Sequence, residues 1–231
     1  MLKKGFFSLI ELLIVISILL ALMTMLLPAL KRTQYNAQVL ICKNNLSQVG
    51  VAYALYGHDY GKYPTPISPG HWLFGGLGRR DAAPGQPKLP PGIGRPSAVA
   101  VLYLEGYDLD PEVFYCPLAE FFTHEKFWHR HKTSWIGVFT GYSWVAGWQR
   151  KGGIPENIRN EFAQDPYSDP STVIATDNTV GNRDTQSWNW TSHQLGSLPR
   201  DGNILHNDGS VALKNYEEMK YKFTTRFGFY W

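Results

Sequence analysis

The sequence predicts an α+β protein: a long N-terminal helix, apolar in its first half and amphipathic in its second, packed on a small antiparallel β-sheet head with extensive loops. Three observations carry this expectation. Phe6 to Leu30 is an almost wholly apolar run. From Tyr35 to Tyr56 apolar residues recur at steps of three and four, the spacing of one helix face. The remaining stretch holds nearly all of the 8 Trp, 13 Tyr and 12 Phe and is punctuated by Gly and Pro, as in a turn-rich, aromatic-packed domain.

The apolar run reads FFSLIELLIVISILLALMTMLLPAL. As a helix at about 1.5 Å per residue its roughly 25 residues span about 37 Å, more than the ~30 Å hydrocarbon core of a bilayer. A secretory signal peptide has a shorter apolar region and a small-residue cleavage site, and no such site precedes Lys31. A plain single-pass anchor is the simplest alternative. Glu11 argues for more than an anchor: a carboxylate inside the run costs a few kcal/mol on insertion scales and calls for a partner, such as a neighbouring subunit's free α-amino group. Pro28 removes a helix hydrogen bond and is expected to kink or locally melt the helix, or to mark its exit from the membrane just before Lys31 and Arg32.

Beyond Lys31, Tyr35, Val39, Cys42, Leu46, Val49, Tyr53 and Tyr56 form a single stripe, with Gln34, Asn36, Gln38, Lys43, Asn44 and Gln48 opposite. A helix packed on a head domain explains the stripe; two heptads are too few to require a coiled coil. GHDYGKYP, from Gly57 to Pro64, ends it.

The stretch KKGFFSLIELLIVISILLALMTMLLPAL resembles a prepilin leader and its first helical half. In the prepilin family a membrane peptidase cuts a basic leader after a Gly and leaves an N-terminal Phe that is methylated. A Glu is fifth and a Pro commonly twenty-second in the mature chain. With Phe7 as the mature N-terminus, Glu11 is fifth and Pro28 twenty-second, but Phe6 then precedes the cut and Gly5 lies one further back. The resemblance divides the chain into a leader (1–6), a transmembrane and filament-core helix (7–30), an amphipathic helix continuing into the head (31–60) and the head itself (61–231). CKNNLSQVGVAYALYGHDYGKYP resembles a pilin-like subgroup with a Cys-x-Asn-Asn-Leu-x-Gln-x-Gly segment, here Cys42, Asn44, Asn45, Leu46, Gln48 and Gly50. That subgroup carries a C-terminal motif in which nine residues separate a His from Asp-Gly. RDGNILHNDGSV supplies the Asp-Gly as Asp208 and Gly209, but the His position is Leu198, and the nearest preceding His is His193.

In the head, the Pro- and Gly-rich residues 64–97 are expected to be irregular loop. Ser97 to Gly106 reads as a short helix capped by Ser97, and Val113 to Pro117 as a strand or extended piece delivering Cys116. One or two strands are expected over Ile136–Trp148 and a buried strand over Thr172–Asp177. Asn203–His206 and Ser210–Leu213 flank Asn207-Asp208-Gly209 as a hairpin. Tyr221 to Trp231 forms a last strand or covers an apolar face.

Two cysteines, Cys42 and Cys116, are compatible with one disulfide in an oxidising compartment or with two separate thiols. A net charge of +3 with no basic stripe sets nucleic acid aside. His124, His129 and His131 with Glu120 and Glu125 read as a solvated loop before a metal site. Asp201, Asn203 and Asp208 are hard oxygen donors, and some pseudopilins bind calcium in a C-terminal loop; the spacing matches no EF-hand and turn chemistry explains each residue, so no cofactor is expected and calcium is the alternative. Trp188 and Trp190 read as core or sheet-face aromatics before a carbohydrate platform. No nucleophile elbow, phosphate loop or HExxH motif occurs, so no enzyme is expected.

The resemblance therefore implies a pilin-like structural subunit, a pseudopilin, held in the bacterial inner membrane with its C-terminal head in the periplasm or on an extracellular filament. Its implied partners are a prepilin peptidase, other pilin-like subunits, the inner-membrane assembly machinery and membrane lipid. The alternative is a single-pass anchored binding module that recognises a glycan or surface partner.

Overall fold

The computed structural model describes residues 8–64, 70–74, 98–107, 109–126, 138–147, 158, 160–181, 191–196, 198–224 and 228–231. The fold is α+β, with a 52-residue helix α1 (Leu9–Tyr60) leading into a loop-rich antiparallel sheet domain. The chain falls into two units, Met1–Leu40 and Ile41–Trp231.

In the first unit the described residues form the N-terminal part of α1. Its start is a capping box. Ser8 Oγ accepts the Ile10 N–H at 3.4 Å, and Glu11 Oε2 accepts the Ser8 N–H at 2.9 Å, so two otherwise orphaned amides are satisfied reciprocally. The carboxylate in the first turn also complements the positive end of the helix dipole. From Leu9 to Leu30, about 33 Å of helix, the apolar side chains are exposed, and this is a helix long and apolar enough to cross a membrane. The hydroxyls of Ser17 and Thr24 donate back to the carbonyls of Ile14 and Ala21 at 2.8 and 2.7 Å, so neither brings an unsatisfied donor into the apolar segment. The local melting expected at Pro28 is not seen: α1 runs through it as continuous helix, without the hydrogen bond that a Pro28 N–H would have made to the Thr24 carbonyl.

In the second unit the amphipathic stripe does what its spacing predicts. Cys42, Leu46, Val49 and Tyr53 are fully buried, whereas Ile41, Val51 and Leu55 remain exposed. The stripe packs on a five-stranded antiparallel sheet built from β1 (Gly70–Phe74), β2 (Val138–Trp144), β3 (Val173–Asp177), β7 (Asp201–His206) and β8 (Val211–Asn215), in the order β1-β2-β3-β7-β8. Ser143 faces Thr176, Thr176 faces Ile204 and Ile204 faces Ala212 across successive strands. The inner strand β3 is buried along its whole length, in keeping with its β-branched Val173, Ile174 and Thr176, while edge strand β8 is largely exposed. β7 and β8 are joined through the Asn-Asp-Gly turn. Gly209 sits at φ 81°, Asp208 Oδ1 accepts the Ser210 N–H at 2.9 Å, and the Gly209 N–H donates to the His206 carbonyl at 3.0 Å.

A smaller sheet is formed by β4 (Val180–Gly181), β9 (Tyr221–Thr224) and β10 (Gly228–Tyr230), and a two-residue ladder joins β5 (Gln194–Leu195) to β6 (Leu198–Pro199). Two expectations need correction. β1 lies within the Pro- and Gly-rich stretch read as irregular loop. And Pro111–Phe114 is a 3-10 turn, not a strand, because Asp110 Oδ1 caps the Glu112 N–H at 2.8 Å and Pro111 supplies a pre-set helical φ; Tyr115 then returns to extended backbone and delivers Cys116. Helix α2 (Ala98–Leu104) forms as expected, with Val99 and Leu102 fully buried; its expected cap, Ser97, lies outside the described residues.

Around the stripe the core is aromatic. Phe114 meets Trp144 edge-on with centroids 6.3 Å apart, and Trp144 Nε1–H, buried, donates to Thr140 Oγ1 at 2.9 Å. If burial of the stripe holds α1 to the head, Leu46→Ala should lower the unfolding free energy of the detergent-solubilised chain by about 3 kcal/mol. Val51→Ala, on the exposed face, should change it by less than about 0.5 kcal/mol. Denaturant titration followed by near-UV circular dichroism reads both, and equal losses would contradict this assignment of faces.

Candidate functional site

The C-terminal half of α1 is fastened to the head around Cys42, and the Cys-x-Asn-Asn-Leu segment supplies the parts. Cys42 is joined to Cys116 by a disulfide that closes 74 residues of sequence, with a Cα–Cα distance of 5.3 Å, within the ordinary range. One turn later Asn45 Nδ2 donates to the Tyr115 carbonyl at 3.2 Å, gripping the residue next to the bonded cysteine. Leu46 enters the core beside it, and a Cβ at Gly50 would lie 3.0 Å from Leu205 of β7, so the helix backbone approaches the sheet closely there. On the sheet side, a Cβ at Gly141 of β2 would lie 2.5 Å from the Cys116 backbone nitrogen; only glycine lets the two backbones come this near.

Behind the disulfide lies a buried polar cluster. Asp177 ends β3, His193 precedes β5 and Asp201 opens β7, so three segments bring three titratable side chains to one place, all of them buried. His193 Nδ1 donates to Asp201 Oδ1 at 2.6 Å. Its Nε2 lies 3.2 Å from Asp177 Oδ2 and 3.2 Å from Cys116 Sγ. Asp177 Oδ2 also accepts the Asn203 N–H at 2.6 Å and Asn203 Nδ2 at 2.8 Å. Arg200 Nε stands 3.7 Å from the other oxygen of Asp201 at the half-exposed rim. Asn178 ties the cluster to β2, donating through Nδ2 to the Thr140 carbonyl at 2.9 Å and accepting from Ser143 Oγ at 2.6 Å. Ser192 Oγ donates to the Gly141 carbonyl at 2.8 Å.

The electrostatics follow from burial against charge. Burial alone pulls the His193 pKa down, but Asp177 and then Asp201 pull it up more strongly, and the net direction is upward. Burial pushes the Asp177 carboxyl up, and His193 and the Asn203 hydrogen bonds offset that only in part. Folding therefore favours the protonated form of both groups, with the Cys116 sulfur beside His193 Nε2.

The residues singled out in the sequence are distributed as follows. Gly5, Phe6 and Phe7 lie outside the described residues, as do His129, His131, Trp188 and Trp190. Glu11 and Pro28 lie in the free half of α1. Cys42 and Cys116 meet in the disulfide. Asp208 and Gly209 form the hairpin turn. Asp201, Asn203 and Asp208 do not converge: the first two are buried and bonded to His193 and Asp177, and Asp208 is exposed at the far end of β7. His124 Nδ1 lies 3.9 Å from Glu112 Oε1. Sequence reasoning missed Asp177 and His193. The signal was present in the chain's other Asp-Gly: His193 precedes Asp201-Gly202 by eight residues, and that His and Asp are hydrogen-bonded.

No family model matches the chain, and no curated protein or solved structure matches it either.

The direction of the two pKa shifts sets a pH dependence for the disulfide-bonded chain. Both groups bind protons more tightly folded than unfolded. The His193 contribution is thus fully present below the ordinary histidine value of about 6.5 and is lost as pH rises through the raised folded value; the Asp177 shift acts in the same direction from lower pH. The denaturation midpoint of the full chain should fall between about pH 6 and pH 8. A midpoint that rises over that interval would contradict the cluster's assigned protonation.

Proposed function

We propose that the chain is a pilin-like structural subunit, a pseudopilin that a prepilin peptidase processes and that assembles with its own kind or with other pilin-like subunits into a filament of the type IV pilus or type II secretion class. The observation that carries this reading is the division of labour along one helix. Leu9 to Leu30 is apolar and unburied, with Glu11 as its one ionisable residue, while the following turns are welded into the head by the disulfide and Asn45. The Glu11 carboxylate caps the helix start, and inside an apolar run it is also placed to pair with a neighbour's amine.

Lys3 and Lys4 hold the leader on the cytoplasmic side, the apolar helix stores the subunit in the inner membrane, and the head stands in the periplasm. Cleavage next to Phe6 or Phe7 creates a positively charged amine. Within the chain, one oxygen of Glu11 is engaged by the Ser8 N–H. The carboxylate is thereby held at the helix start, where a neighbour's new amine can pair with it in a low-dielectric filament core. Because the apolar stripe is committed to the head, lateral helix packing falls to the residues still exposed, Ile41, Val51 and Leu55 together with the Leu9–Leu30 segment. Contacts of this heterologous kind propagate as open helical filaments. A structural role of this type needs no catalytic group and no cofactor.

Glu11→Leu tests the pairing. In cells that carry the assembly machinery, the variant should enter the membrane at the wild-type level, while sheared or cross-linked filament falls by more than about tenfold, the factor that corresponds to ~1.4 kcal/mol. Normal assembly of Glu11→Leu would overturn the proposed pairing.

A further inference from the structure

The disulfide and the buried cluster behind it share a property that the assembly reading does not use. One ligand atom each from Cys42, Cys116, Asp177 and His193 lie within 4.8 Å of one another, and all four residues are buried. They come from α1, from the segment after the 111–114 turn, from the end of β3 and from the residues before β5, so the folded head itself gathers them. A tetrahedral zinc ion with Zn–S bonds of about 2.3 Å and Zn–N and Zn–O bonds of about 2.0–2.2 Å keeps its donors roughly 3.3–3.8 Å apart, which four atoms inside this span reach by side-chain rotation. The surroundings match a metal site as well. His193 gives its Nδ1 proton to Asp201, which fixes the ring and turns Nε2 towards the sulfurs, the carboxylate–histidine arrangement that orients zinc ligands. Asn203 holds Asp177 Oδ2 by two hydrogen bonds, while Asp177 Oδ1 is buried with no hydrogen-bond partner among the described residues. Two thiolates, an imidazole and a carboxylate select zinc over calcium or magnesium.

We propose that the head has two alternative closures at this point: the Cys42–Cys116 disulfide when oxidised, and one zinc ion held by Cys42, Cys116, His193 and Asp177 when reduced. The exchange balances. A dithiol or phosphine reductant gives two electrons to the disulfide, and two protons complete the two thiols. Zinc then takes both sulfurs as thiolates and releases those two protons, and His193 binds through Nε2 as the neutral ring, releasing the Nε2 proton that it carries when the cluster is protonated. In either state the C-terminal half of α1 stays fastened to the Cys116 segment, by a covalent bond or through the metal. The inference is independent of whether the chain assembles into a filament.

The test uses the full chain in detergent micelles, reduced anaerobically with a phosphine, freed of reductant and titrated with cobalt(II) as the spectroscopic probe. With only two cysteines in the chain, a thiolate-to-cobalt charge-transfer band can arise only from Cys42 and Cys116. The reduced chain should take up about one cobalt with that band and with the intense visible bands of a tetrahedral site, zinc should displace it, and the oxidised chain should show neither. Asp201→Asn, a change at a positioning residue that touches no metal, should weaken cobalt binding by about 10–100-fold. His193→Ala should weaken it at least as much. A reduced wild-type chain without the charge-transfer band would overturn the proposal. So would His193→Ala binding as tightly as wild type, because the metal would then sit on the two thiols alone.

Discussion

The clamp between α1 and the Cys116 segment is the constraint on which the head depends. A helix contributes one apolar stripe, and a stripe alone leaves its axial position on a sheet poorly determined. Here the position is fixed by three contacts within two turns: the Cys42–Cys116 bond, the Asn45 side chain on the Tyr115 carbonyl, and Gly50 against Leu205. With the axial position fixed, Leu46, Val49 and Tyr53 meet their places in the core, and Gly141 admits the Cys116 backbone to β2. The same fastening leaves Ile41, Val51 and Leu55 on the outside.

The polar cluster extends that constraint to the strands. Asp177, His193 and Asp201 come from three segments that are far apart in sequence, and a buried charge is tolerated only where it is paired and hydrogen-bonded. Each carboxylate therefore has a partner that specifies strand position: Asn203 for Asp177, His193 for both. Removing a single member would strand an opposite charge in the core. The cluster adds specificity to a domain in which much of the chain between the strands is loop.

Much of the fold was legible in the sequence because it rests on local signals. The apolar run, the three-four stripe, the β-branched Thr172–Asp177 segment and the Asn-Asp-Gly turn each carry their mechanism within a few residues. The capping box Ser8-x-x-Glu11 is equally local, a Ser followed three residues later by a Glu at the start of the apolar run. β1 was illegible for a different reason: strand formation in a Pro- and Gly-rich stretch depends on the neighbouring strand β2. The 3-10 turn at Pro111–Phe114 showed the reverse, a local cap overriding the β-branched and aromatic character of Val113 and Phe114. The polar cluster was hidden because its members are brought together by tertiary structure alone. The Asp-Gly of the hairpin, Asp208-Gly209, is exposed turn chemistry, whereas the earlier Asp-Gly, Asp201-Gly202, carries the buried pairing with His193.

The proposed pilin-like role requires that the chain acquire a new N-terminus close to Glu11. Intact mass and terminal sequencing of the membrane-fraction protein, made with and without a prepilin peptidase, read this directly. A peptidase-dependent chain that starts at Phe6 or Phe7, with one added methyl group, is the expected result, and its start decides between cleavage after Gly5 and after Phe6. A chain that retains Met1 in both preparations would contradict the pilin-like reading and leave α1 as the anchor of a tethered head.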